Sequence, residues 1–243
     1  MMDPRFILAI PGKWKDRSEI VTAIATKSNG YLLTGDILQN VEKEMKFEIE
    51  IYEQDDSLAE AFQYAGGGKF NRKQLKEIRN HTHILFLMTN ESGVSIAKEL
   101  INAGKGLLNA GGIGVKVETI GIAFSKEEWE EFEQNVDEFS IYSHLVTLVG
   151  DEDHGKFYSF GMKAFEAPDA MISTEFDPED AAEALNDFNF YCLTEQPALT
   201  DGDTIALGEE GLTYTISLQE DFRYETEDLY HNPLGIWELS IEK

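Results

Sequence analysis

The sequence predicts an α+β fold, and three observations point there. Helix starts are marked by small polar residues followed three positions later by Glu or Gln. Strands show as alternating apolar and polar residues, and the two kinds of segment are interspersed along the chain. The capping-box pairs are Asp16/Glu19, Ser57/Glu60, Asn71/Gln74 and Ser125/Glu128. In each, the first side chain can accept from the N–H three residues on while the acid or amide reaches back. Asp177-Pro178 marks a fifth start, with Asp as N-cap and Pro already holding the φ of a first turn. A sixth helix over about 92–109 carries Ile96, Leu100, Ala103, Leu107 and Leu108 as its buried stripe and stops at Ala110-Gly111-Gly112, where glycine accepts the left-handed end.

Among the strands, Phe47, Ile49 and Ile51 alternate with Lys46, Glu48 and Glu50, which describes a sheet with one wet face. Ile113, Val115 and Val117 repeat the pattern, as do Tyr214, Ile216 and Leu218. Phe6 to Ile10 and Ile84 to Met88 are instead continuously apolar, so these two strands are expected to be central and covered on both faces. The resulting order is β(5–10) α(16–28) β(31–38) β(46–52) αα(57–80) β(83–89). After the 92–109 helix it continues β(113–119) α(125–137) β(141–149) β(156–162) α(177–193) β(203–208) β(212–218). Strand and helix order thus match a ferredoxin-like βαββαβ unit twice. The expected organisation is a ferredoxin-like unit over 1–90, a connecting helix over 91–112 and a second α+β unit over 113–243. One larger mixed sheet with helices on its faces is the competing arrangement, because strand 83–89, its helix and strand 113–119 make a good crossover unit.

The chain has 243 residues with 20 Lys+Arg against 46 Asp+Glu, a net charge of −26. Nucleic-acid affinity comes largely from cations displacing counterions, so neither nucleic acid nor an anionic membrane is expected as a partner. The one basic stretch, Lys69, Arg72, Lys73, Lys76 and Arg79, forms a single helical face. The longest apolar run, Ile84 to Met88, is far too short to span a bilayer. Cys192 is the sole cysteine, which excludes an internal disulfide and a multi-cysteine metal site. With no signal-peptide pattern in Met1-Met2-Asp3-Pro4-Arg5, a cytoplasmic location is expected.

Catalytic motifs are scarce. Gly66-Gly67-Gly68-Lys69 is followed by Phe70, so the hydroxyl that a phosphate loop uses for magnesium is missing, and a break between two helices is expected. His81 and His83 would share a face of an extended segment, but no third ligand stands at metal-motif spacing. Asp151-Glu152-Asp153-His154-Gly155 opens like a calcium loop, yet Met162 occupies the position of the closing Glu; an acidic hairpin turn is expected. Lys126 to Glu133 reads as an acidic helix with Trp129 and Phe132 turned inward.

Four segments resemble an uncharacterised bacterial family with a C-terminal domain of unknown function, over roughly 80–243. They are Asn109 to Glu118, Tyr158-Ser159-Phe160-Gly161-Met162-Lys163-Ala164-Phe165, Pro168-Asp169, and Tyr230-His231-Asn232-Pro233-Leu234-Gly235-Ile236-Trp237. One departure is Glu166-Ala167, where the resemblance leads one to expect a glycine. The resemblance implies no reaction or cofactor. Physically, Gly161 inside a strand suggests a bulge or close backbone approach, and Asn232 to Gly235 suggests a turn. The expected binding set is Glu118, Ser159, Gly161, Met162, Asp169, His231 and Asn232, converging on a polar pocket with a Met and Trp wall. No catalytic residue, metal ligand or cofactor is expected. The leading functional expectation is an acidic binding protein, an immunity-type protein being one concrete version, that engages a basic protein partner; an enzyme or small-ligand sensor using the polar pocket is the alternative.

Overall fold

Segments that are apolar on both faces seek the middle of a sheet, and two of them set the architecture of the first half. A computed structural model describes residues 5–132, 137–208 and 211–241. The chain divides into two compact units, Met1–Val136 and Asp137–Lys243. The first comprises β1 (Phe6–Gly12), α1 (Arg17–Lys27), β2 (Tyr31–Thr34), β3 (Ile37–Asn40), β4 (Lys46–Glu53), α2 (Leu58–Ala65), α3 (Arg72–Arg79), β5 (His83–Thr89), α4 (Val94–Asn109), β6 (Gly114–Val117), β7 (Ile122–Ser125) and α5 (Lys126–Glu130). Its sheet runs β2-β3-β4-β5-β1-β6-β7, every neighbouring pair antiparallel.

The α+β class stands as expected, but the strand order differs from the ferredoxin-like one. There β(83–89) would sit beyond β1 at the sheet edge. Instead β5 lies between β4 and β1, because Ile84, Leu85 and Leu87 are all buried and an edge would leave one flank of that strand unpaired. The unit boundary also moves. The helix expected to connect two domains, α4, carries the chain over β1 to β6, which pairs with β1 on its far side. Strand 113–119 therefore belongs to the first unit, closed by a hairpin to β7. Gly104 of α4 faces Trp129, where an added Cβ would come within 2.7 Å of Nε1. The indole N–H donates to the Ile101 carbonyl at 3.2 Å, and the ring packs against Phe124 and Phe132. Full burial of such a side chain contributes roughly 1.5–3 kcal/mol. The helix expected over 125–137 is described as α5 only, residues 133–136 lying outside the described ones.

The second unit contains α6 (Glu138–Leu145), β8 (Thr147–Asp151), β9 (Lys156–Phe160), a 3-10 turn (Met162–Phe165), β10 (Asp169–Ser173), α7 (Pro178–Glu195), β11 (Thr204–Leu207), β12 (Leu212–Gln219) and β13 (Ile236–Ser240). Its sheet order is β11-β12-β13-β10-β9-β8, with β10 and β13 parallel and the other neighbours antiparallel. The strand expected over 141–149 begins only at Thr147. Asp137 accepts the Ser140 N–H at 2.7 Å, and Ile141, Tyr142 and Leu145 are buried at helical spacing, so residues 138–145 coil instead. Ala181, Ala184, Leu185 and Phe188 of α7 pack against Ala170, Ile172, Tyr214, Ile216, Trp237 and Leu239 on one sheet face. Trp237 thus belongs to this core and forms no pocket wall. Cys192 packs at the same cluster, and burial pushes its thiol up to about 12.

The punctuation follows the chemistry of its residues. Asn71/Gln74 and Ser125/Glu128 form complete capping boxes, and Asp177 caps α7 with Pro178 in the first turn. Ser57 does not cap: its backbone is already helical, and its N–H and hydroxyl both donate to Asp55. His81 is buried and uses both ring nitrogens: Nε2 accepts the Asp55 N–H at 3.1 Å and Nδ1 lies 2.6 Å from the Ile78 carbonyl. With Nδ1–H donating and the Nε2 lone pair accepting, neither ring nitrogen is left for a metal. The acidic Asp151 to Gly155 segment is the β8–β9 hairpin turn, with Asp151 accepting from the His154 N–H.

Candidate functional site

Strands β12 and β13 are antiparallel neighbours, yet residues 220–235 between them make a long excursion without helix or strand instead of the usual short hairpin loop. Connections of that length inside a compact unit are uncommon and call for a reason. This strap is anchored by polar groups converging from three directions. Asp169, at the start of β10, points away from the α7 face. Its Oδ1 accepts the Met162 N–H at 3.0 Å, and its Oδ2 accepts from Arg223 Nη2 at 2.7 Å and Asn232 Nδ2 at 3.2 Å. Asp221 takes Arg223 Nε at 2.7 Å on Oδ1, and Nη2 at 3.0 Å and the Asn232 N–H at 2.8 Å on Oδ2. Arg223 Nη1 donates to the Ser159 carbonyl at 2.9 Å. The guanidinium also lies over the Tyr158 ring, 4.7 Å from its centre.

These charges are out of water. Side-chain exposure is 5% for Arg223, 1% for Asp169 and 0% for Asp221. Burial raises the Asp169 carboxyl above the ordinary carboxylate range, against the pull of Arg223. At Asp221 burial acts in the same sense, but the Arg223 hydrogen bonds and the Asn232 N–H outweigh it and hold the group below its ordinary value. For Arg223, the two carboxylates overcome desolvation and raise the guanidinium further. Lys163 closes the other side, its ammonium donating to the carbonyls of Leu229 and His231.

Of the expected set, Ser159, Gly161, Met162, Asp169 and Asn232 do come together. Ser159 Oγ accepts the Ala170 N–H at 2.8 Å, tying β9 to β10. Gly161 ends β9 with φ +121°, and a Cβ there would meet the Leu145 carbonyl oxygen at 2.4 Å; the close approach is real, although the residue terminates a strand instead of bulging one. Met162 contributes its N–H and is fully buried. Asn232 to Gly235 is a turn, Gly235 N–H donating to the Asn232 carbonyl at 3.0 Å. Glu118 is not part of this group: it belongs to the first unit and pairs with Lys116. The polar groups that meet in the second unit bond one another, so their convergence pins the strap. Sequence reasoning missed Asp221 and Arg223, which complete the network. The available signal was the rarity of cations here: residues 137–243 hold only Lys156, Lys163, Arg223 and Lys243.

His231 turns elsewhere. A cavity of about 500 Å³ lies between the two ends of the strap, lined by Leu218 to Asp221, Thr226 and His231 to Gly235. It falls within the roughly 300–1,000 Å³ of typical ligand pockets. Leu218 and Leu234 are 46% and 37% exposed at its walls. Glu220 is exposed, and His231 Nδ1 is buried without a hydrogen-bond partner among the described residues.

Residues 158–238 match a family model described as Domain of unknown function (DUF4261). The match runs from Tyr158, under the Arg223 guanidinium, to Glu238 of β13, so the matched region takes in the whole anchored strap. The resemblance expected over 80–243 therefore holds for the C-terminal part. No curated protein and no solved structure matches the chain. Among the described residues, no helix is long and apolar enough to cross a membrane, and no group of three or more His, Cys, Asp or Glu side chains is placed to hold a metal ion.

Proposed function

We propose that the protein is a binding protein whose second unit presents an anionic surface to a basic protein partner, as an immunity-type protein would to a cationic toxin. The observation that carries this reading is the partition of charge. Residues 1–136 hold 16 Lys+Arg and 21 Asp+Glu, a net −5, whereas residues 137–243 hold 4 and 25, a net −21. The described cations of the second unit are already engaged: Lys156 with Glu238, Lys163 with backbone carbonyls, and Arg223 with two buried aspartates. Among the described residues of this unit, the unpaired charge that faces water is of one sign, which steers cationic partners and repels anionic ones.

The alternative, a small-ligand sensor, has one observation in its favour, the cavity beside His231 and Asn232. The two readings separate by salt. Affinity for a partner purified from the native host is expected to fall steeply between about 50 mM and about 500 mM salt, as screening shortens the reach of exposed charges. Charge reversal at Glu179 and Glu195, both exposed on α7, is expected to weaken it further. A partner retained equally at both salt concentrations would overturn the anionic-surface reading.

A further inference from the structure

Resting on that reading, we propose that the cavity at the base of the strap seats an arginine or lysine side chain of the partner, presented by a segment with apolar residues on either side. A cationic side chain has an aliphatic stem and a polar head, and the cavity offers a surface for each. Leu218 and Leu234 stand exposed at its walls, large apolar groups that a stem and its apolar neighbours would cover. Glu220 is exposed and enters no ion pair or hydrogen bond among the described residues. The adjacent Asp221 already has its charge answered by Arg223, so the unneutralised charge of the lining is negative.

Other ligand chemistries fit less well. A phosphate or carboxylate would face Glu220 with no free cation in the lining, since Arg223 is saturated by two aspartates and the Ser159 carbonyl. A wholly apolar ligand would desolvate Glu220 without pairing it. A second copy of this chain has basic residues on α3, but that helix turns Ile78 into its own core and packs Leu75 against it. It therefore has little apolar surface to flank its cations. The occupant is a basic and apolar segment of another protein.

The test is fluorescence anisotropy of the full chain with a labelled peptide of alternating arginine and leucine. Wild type is expected to bind at low ionic strength, and Glu220→Gln and Leu234→Ser each to weaken binding about tenfold or more, as a central contact does. The pair Glu179→Gln and Glu195→Gln on α7 removes more charge but is expected to cost less than about threefold, chiefly in association rate. If the α7 pair weakens binding as much as Glu220→Gln, the diffuse field does the binding; the cavity proposal then fails while the anionic-surface reading survives. If the peptide does not bind at all, both fail. Displacement by N-acetyl-arginine amide at the same affinity as the peptide would make this a small-molecule pocket, and self-association abolished by Glu220→Gln would make a second copy the occupant; either overturns the proposal.

Discussion

In the first unit a run of cations stands outside: Arg72, Lys73, Lys76 and Arg79 are all exposed along α3. In the second, the side chain best able to hold several acceptors at once, Arg223, is buried between Asp169 and Asp221. The first unit locks its helices to its sheet with apolar contacts, Trp129 against Gly104 and Phe124 among them. The second locks its longest irregular segment with a desolvated ion network. A buried pair of this kind is a poor source of net stability but a severe liability once half of it is removed. The two units should therefore fail in different ways, and that difference can be measured.

The largest effect is expected from Arg223→Leu. It leaves two carboxylates without their counter-charge and should destabilise the second unit by about 3–5 kcal/mol. Arg223→Lys should recover only part of this, because one ammonium cannot reproduce the fork that reaches both aspartates and the Ser159 carbonyl. Hydrogen exchange resolved by residue reads the outcome: amides of β10 and β13 should lose protection while those of β1 and β5 keep theirs. Equal loss in both units would mean that they do not unfold separately. Gly104→Ala is the converse experiment. Its Cβ intrudes on the Trp129 indole, and overpacking of about 1–3 kcal/mol, partly offset by alanine's better helix propensity, should appear in the first unit's amides alone. The smallest effect is expected at Glu166, which adopts φ +59°. Glu166→Gly removes that left-handed strain and should raise the second unit's stability by less than about 1 kcal/mol, visible as a higher midpoint in thermal melts.

Glu166 also illustrates what the sequence discloses. A glycine was expected near this point, and the backbone does turn left-handed there without one. Local signals read well in the same way. Asn71/Gln74 and Ser125/Glu128 announce helix starts because the partners lie within one turn, and the two-faced apolarity of Phe6 to Ile10 places β1 centrally. Ser57 misleads because its own backbone is already helical, and its hydroxyl donates to Asp55 instead of accepting from the helix. Strand order is less legible: nothing in residues 83–89 says which two strands will flank them. Five members of the expected binding set do meet, since glycine and proline mark the chain reversals that bring them together. Glu118 does not join them, and Arg223 escaped notice because in a chain of 46 acids a buried aspartate looks like any solvated one.

The parallel pairing of β10 with β13 has a consequence for biosynthesis. β13 enters between β10 and β12, both of which precede it in the chain. Until residue 240 has left the ribosome, those two strands each present an open hydrogen-bonding margin. The nascent second unit is thus a pair of sticky fragments waiting for their middle, a state in which misassembly with neighbouring chains competes with completion.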